Sequence, residues 1–234
     1  MFFDAFPRFY ESSNTGAYRG RLNLRYEAIF GENQDLFPGA RLIDIANHDG
    51  RWSLAALKAG AAEVTGIEAR EDLVRAALDN VGHYYNDTGR YEFIAGDVFE
   101  IMSETTFKAD VVLCLGFLYH TLRYNELMSR IREINPSHLI IDTQVLPRKG
   151  RVVGLRTDRV ELQRNAAPNP YSHRDKEVVG MPSIGALKFL LNAYDFEIER
   201  YSDWGSLVRD NPSLKNVGNY ATGERVTFRC VSTA

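Results

Sequence analysis

Cysteine is scarce in this chain: Cys114 and Cys230 are the only two in 234 residues. Both sit in apolar, strand-like runs, so neither a disulfide framework nor a cysteine-built metal site is expected, and a reduced, cytoplasmic compartment is. Long apolar runs are also missing. The longest, at 111–119, is about half of what a helix needs to span a bilayer, so no membrane span is expected. The opening residues MFFDAFPRFY contain Asp4, Pro7 and Arg8 and lack the apolar stretch of a secretory signal. An excess of positive charge is absent as well. The 28 Lys and Arg stand against 31 Asp and Glu, a net of −3, which gives no general attraction to nucleic acid or anionic membranes. Repeats and low-complexity tracts are lacking. What remains is 44% hydrophobic and 25% charged, enough to build one sizeable core, so residues 1–234 read as a single domain.

Strand and helix signals alternate along that domain. The run 41–46 (RLIDIA), after Pro38-Gly39, reads as a strand, and 51–59 (RWSLAALKA) as a helix that stops at Gly60. Further strands are expected at 63–68, 91–95, 109–115 and 138–142, with helices at 72–81, 125–134 and 183–194. The fourth strand is apolar throughout, as a strand covered on both faces should be. Strands separated by helices predict a doubly wound, Rossmann-like α/β sheet of seven strands, mostly parallel. The last two strands, 196–201 and 225–231, have no helix pattern between them and read as a terminal antiparallel pair. Residues 1–37 form an N-terminal cap segment. Residues 143–182 fit no βα unit and carry eight Lys/Arg against four Asp/Glu. An insertion of that length is expected to be a lid or binding loop, the alternative being a solvated excursion.

In open α/β sheets, ligands bind outside the carboxyl ends of the strands. The polar residues that follow the strands are therefore the candidates. The first strand leads into Asp44-Ile45-Ala46-Asn47-His48-Asp49-Gly50, and the second ends at Glu68. The third leads into Gly96-Asp97-Val98, the fourth from Leu115 into Gly116-Phe117-Leu118-Tyr119-His120, and the fifth into Asp142 and Gln144. An acid at the end of the second strand can accept both hydrogen bonds of a ribose diol. Asp97 with apolar Val98 suits an adenine, although Asp97 can equally cap a helix.

This pattern resembles that of class I S-adenosylmethionine-dependent methyltransferases over nearly the whole chain. Residues 44–50 match the family's first glycine-rich motif, Glu68 its ribose-binding acid and 96–98 its adenine loop. Glycine is missing where the family has it, at Ala46 and His48, and only Gly50 is kept. Ala46 still allows close approach to a ligand if its φ is negative. The stretch 115–121 (LGFLYHT) resembles the tRNA wobble-uridine carboxymethyl transferase branch, and 48–53 (HDGRWS) resembles bacterial sugar and polysaccharide O-methyltransferases.

The resemblance implies S-adenosylmethionine as cofactor, bound by Asp44, Ala46, His48, Gly50, Glu68, Asp97, Val98 and Leu115. Arg21, or Arg25, is placed to pair with its carboxylate. His120 is the candidate base, since an imidazole can take a hydroxyl proton near neutral pH. Asp142 is a candidate to orient it, bind a substrate hydroxyl or ligate a divalent cation, although one ligand makes no metal site. Tyr119, Gln144, Tyr171 and His173 are candidates for substrate contact. The expected function is methyl transfer to a hydroxyl of a small polar acceptor such as a sugar. Two alternatives stand beside it: a tRNA-modifying methyl or carboxymethyl transferase, and a non-catalytic methyltransferase-like scaffold. The acidic charge balance weighs against a nucleic-acid partner, and nothing in the sequence fixes an oligomeric state.

Overall fold

The computed structural model describes residues 1–11, 18–212 and 217–233. Nine strands occur among them: β1 (Arg41–Ile45), β2 (Glu63–Glu68), β3 (Tyr91–Ala95), β4 (Val111–Leu115), β5 (His138–Gln144), β6 (Val153–Arg159), β7 (Lys176–Pro182), β8 (Phe196–Tyr201) and β9 (Arg225–Ser232). Seven build one sheet in the order β3-β2-β1-β4-β5-β9-β8. The five on the β3 side pair in parallel. β9 runs antiparallel to both of its neighbours. The expected sheet, with its terminal antiparallel pair, is what the chain forms.

Eight helices accompany the strands: α1 (Arg8–Glu11), α2 (Arg19–Ile29), α3 (Arg51–Lys58), α4 (Glu71–Tyr84), α5 (Val98–Glu104), α6 (Tyr124–Ile134), α7 (Ile184–Ala193) and α8 (Trp204–Asp210). Side chains of a strand alternate between faces, and the core divides accordingly. On β4, Val112 and Cys114 join a cluster with Phe99 of α5, Met128 of α6 and Leu187 of α7. Val111, Leu113 and Leu115 join Leu54 of α3 and Val81 of α4 on the other face. The segment 1–37 extends that second cluster. Phe3 meets Trp52 edge-to-face at 5.5 Å, and Phe30 lies 6.1 Å from the same ring. Trp52 is thus a packing residue as well as a neighbour of the cavity described below.

Two expectations are corrected, and one alternative is set aside. A helix, α8, does stand between β8 and β9; it is short and begins Trp204-Gly205, which hides its pattern. Thr143 and Gln144 belong to β5, not to the insertion. The insertion itself is no irregular excursion. β6 and β7 pair antiparallel over seven residues as a separate two-stranded sheet.

Candidate active site

β1 lies between β2 and β4. The chain therefore leaves β1 in one direction and returns to its other side, and this reversal of strand order opens a crevice at the carboxyl edge. A cavity of about 780 Å³ sits there, within the range of small-molecule and cofactor sites. Ala46, His48, Glu68, Asp97, Val98, Leu115, Tyr119, His120, Gln144 and Arg21 all line it. No helix among the described residues is long and apolar enough to cross a membrane.

The loop after β1 departs from expectation. Ala46 and His48 both have positive φ, 54° and 56°. That left-handed conformation costs a non-glycine residue about 1–2 kcal/mol. Neighbours hold it in place: Asn47 N donates to the Ile67 carbonyl at 3.2 Å, and His48 N donates to Glu68 Oε2 at 3.1 Å. Gly50 has another task than meeting a ligand. Its φ is 79°, and a Cβ there would lie 2.8 Å from Val81 Cγ2 and 3.1 Å from Ala77 Cβ. Glycine at 50 therefore lets α3 and α4 approach, and Gly50 does not line the cavity. Nor does Asp44. It is buried below the loop and accepts from Ser53 Oγ at 2.7 Å. Burial, with little to offset it, pushes its carboxyl up to about 7.

Glu68 and Asp97 form the acidic side of the cavity. Glu68 accepts from His48 N on one oxygen and from Arg70 N, at 3.0 Å, on the other. Burial raises its pKa against the pull of those N–H groups. A carboxylate has about four acceptor positions, so roughly two remain for a ligand. Asp97 caps α5 by accepting from Phe99 N at 2.8 Å, lies 3.6 Å from Arg123 Nη1 and still lines the cavity. Beside it, the Arg123 guanidinium stacks 3.7 Å above the Phe99 ring, making a flat wall.

The opposite side is built from arginines. Asp142, expected to serve His120 or a substrate, does neither. It is fully buried and accepts from Arg25, Arg225, Tyr220 and Thr227, all at 2.7–2.9 Å. Burial would raise its pKa, but the Arg225 and Arg25 charges outweigh burial and hold it at about 2. Arg25 is thereby committed to Asp142. Arg21 has no carboxylate partner among the described residues. Burial, with repulsion from Arg25 and Arg225, lowers its pKa.

The group that does meet His120 is Asp158 of β6, which sequence reasoning missed. His120 Nδ1 lies 2.6 Å from Asp158 Oδ2, and both side chains are largely buried. The same oxygen accepts from Ala166 N at 3.1 Å. Burial lowers the His120 pKa while Asp158 opposes the shift, so the imidazole is neutral at pH 7. At a neutral imidazole the Nδ1 proton goes to Asp158, which leaves Nε2 as an acceptor. The pair spans 38 residues, and nothing local in the sequence announces it. The insertion is also gripped from the β2 side. Arg70 Nη2 donates to the carbonyls of Val160, Leu162 and Ala166, so the connection between β6 and β7 is tied down on both sides of the cavity. Tyr171 and His173, offered as substrate contacts, face elsewhere. They line a separate shallow groove with Leu122 and Lys176, because the β6–β7 turn carries them outward.

No protein-family model matches the chain, and no curated protein does. Solved structures match over nearly all of it. An S-adenosylmethionine-dependent methyltransferase from Mesorhizobium loti is 14% identical, with 89% of this chain and 99% of that one covered and a TM-score of 0.62. Magnesium protoporphyrin IX methyltransferase from Synechocystis, solved with bound SAH, is 16% identical over 99% and 94%, with a TM-score of 0.60. The N-terminal domain of EvdMO1, solved in the presence of SAH and D-fucose, is 20% identical over 92% and 82%, with a TM-score of 0.57. At these identities the likeness is one of fold, and the fold is that of the class I S-adenosylmethionine-dependent methyltransferases.

Proposed function

We propose that the chain is an S-adenosylmethionine-dependent methyltransferase acting on a hydroxyl oxygen of a small polar acceptor such as a sugar. The observation that carries this reading is the His120–Asp158 pair in the wall of a cavity whose other wall suits a nucleoside. The residues present fit the cofactor. Glu68 has acceptor positions left for two ribose hydroxyls, and Asp97 with Val98 offers an adenine a polar edge and an apolar face. The left-handed loop at Ala46 and His48 would border the methionine part, and Arg21 is a guanidinium without a carboxylate among the described residues. When bound, S-adenosylmethionine supplies an electrophilic methyl group on a sulfonium.

The chain's own residues then have defined tasks. A hydroxyl is a poor nucleophile at neutral pH, so it needs a base within hydrogen-bond reach. His120 Nε2 is the acceptor for that proton. Asp158 fixes the tautomer and stabilises the imidazolium that forms, as a carboxylate behind a histidine does in other acid–base sites. The insertion, pinned by Arg70 and Asp158, excludes water and holds the acceptor in line.

Calorimetry with S-adenosylmethionine, followed by transfer of a labelled methyl group to a panel of sugars, tests this. Glu68→Ala should lose about tenfold or more in cofactor affinity, the value of a charge-assisted hydrogen bond. Unchanged affinity would remove Glu68 from the site. No binding to the unaltered protein at millimolar cofactor would favour a non-catalytic scaffold.

A further inference from the structure

The cavity has one side rich in cations whose carboxylates are already spent. Arg21, Arg25, Arg156 and Arg225 all line it, and among the described residues the carboxylates in contact with them are Asp142 and Asp158. Four guanidiniums against two carboxylates leave an excess of two positive charges. A cofactor carboxylate on Arg21 would cover one of them. The cofactor's sulfonium and ammonium would bring two further positive charges to the same space. A neutral acceptor would leave this imbalance inside a half-enclosed site, where charge repulsion is poorly screened.

The two cations nearest the base are also the ones with donors to spare. Arg156 Nε is buried and makes no hydrogen bond; its nearest carboxylate oxygen is Asp158 Oδ1 at 3.5 Å. Among the described residues, Arg156 Nη2 reaches only the Tyr119 carbonyl, at 3.3 Å. Arg225 spends Nε and Nη2 on Asp142 and one N–H of Nη1 on the Tyr119 hydroxyl at 3.2 Å. A guanidinium has five N–H donors, so others remain. Both guanidiniums lie over the Tyr119 ring, at 5.5 and 5.2 Å, and that ring lies 4.3 Å from the His120 imidazole. A planar donor fork facing a cavity suits a carboxylate or phosphate far better than a hydroxyl.

We infer that the acceptor is an anion, bearing a carboxylate or phosphate group that Arg156 and Arg225 hold beside His120. This rests on the methyltransferase reading above and narrows its acceptor class. The anion would anchor the acceptor, and the hydroxyl to be methylated would lie next to it, within reach of Nε2.

The test uses one polyol in three forms: glycerol, glycerate and glycerol 3-phosphate. Each is titrated by calorimetry into the protein, with and without S-adenosylhomocysteine. At least one anion should bind tenfold or more tighter than glycerol, with S-adenosylhomocysteine still bound. Which of the two wins distinguishes carboxylate from phosphate. Arg156→Gln should lose that preference about tenfold while melting like the unaltered protein, and Arg75→Gln, on the exposed face of α4, should keep it. Equal affinity for glycerol, no anion uptake at about 10 mM, or an unchanged preference in Arg156→Gln would overturn the inference. So would anion binding that S-adenosylhomocysteine abolishes, because the arginines would then belong to the cofactor's own carboxylate. Failure of S-adenosylhomocysteine to bind sinks the methyltransferase reading instead, and the titrations without it still report on the anion site.

Discussion

On the β2–β3 side of the cavity, carboxylates are held by backbone N–H groups and keep acceptor positions facing the space. On the β4–β5–β9 side, the carboxylates are used up by side chains, and it is guanidiniums that face the space. Two buried aspartates show the difference most directly. Asp44 on β1 and Asp142 on β5 are both inaccessible to solvent, yet one sits near pH 7 and the other near pH 2. Asp44 has one hydroxyl donor. Asp142 has two arginines, a tyrosine and a threonine. Burial alone does not set the charge of an acid; the number of donors that come with it does. The first side can therefore accept hydrogen bonds from a neutral polyhydroxyl group, and the second can donate them to an anion.

The largest effect that could break this contrast is at His120, the proposed base. His120→Ala should lower turnover by about 10²–10⁴ and leave cofactor affinity nearly unchanged, as measured by calorimetry beside steady-state kinetics. Asp158→Asn should cost less and carry a signature that mere loosening would not. Asp158 raises the His120 pKa, so its removal should move the acid limb of the rate profile to lower pH. Asp142→Ala tests the other side. It leaves Arg25 and Arg225 buried without their anion, and breaking such a pair costs about 3–5 kcal/mol, readable in a denaturant melt. A loss below about 1 kcal/mol would mean that the arginines find other partners.

The Asp44 prediction concerns pH. Its pKa in the folded chain, about 7, lies above the ordinary 3.8. The protonated acid is thus the form the fold favours. Its contribution to stability is complete below about pH 4 and is lost as the pH rises through 7. Asp44→Asn should flatten that decline in melts taken from pH 5 to 8, and a decline that persists unchanged would assign it to another group. The smallest effect is expected at Ala46→Gly. Relief of the left-handed backbone and the added freedom of the unfolded chain oppose each other, so stability should change by no more than about 1 kcal/mol. A larger loss would show that the alanine methyl packs against something essential.

The sheet was legible because its central strands are largely apolar runs with turn residues between them, as in 111–115 and 138–142. The carboxylate side of the cavity was legible for a related reason. Glu68, Asp97 and Leu115 stand at strand ends, and the topology alone brings strand ends together. The arginine side was not. Asp142 stands near the end of a strand too, but its role depends on Arg25 and Arg225, 117 and 83 residues away. Asp158 lies on a hairpin that no βα pattern announces. Its neighbours Arg156 and Arg159 make the strand look like a solvated, charged segment. The conformation of Ala46 and His48 was hidden too, because residue type argues against positive φ and only the contacts to Ile67 and Glu68 enforce it.

The position of β9 bears on how the molecule is made. β8 precedes β9 in the chain yet lies outside it in the sheet, so it can join only after β9 has taken its place against β5. A nascent chain therefore carries an open β5 edge until residues 225–232 emerge. Such an edge is a template for pairing with another chain. Asp142 spends the same interval without Thr227 and Arg225, since β9 supplies both. Closure of the sheet and charge neutralisation beneath the arginine side are one event, and it comes late. During synthesis, the half of the cavity that would meet the acceptor is incomplete until β9 has taken its place.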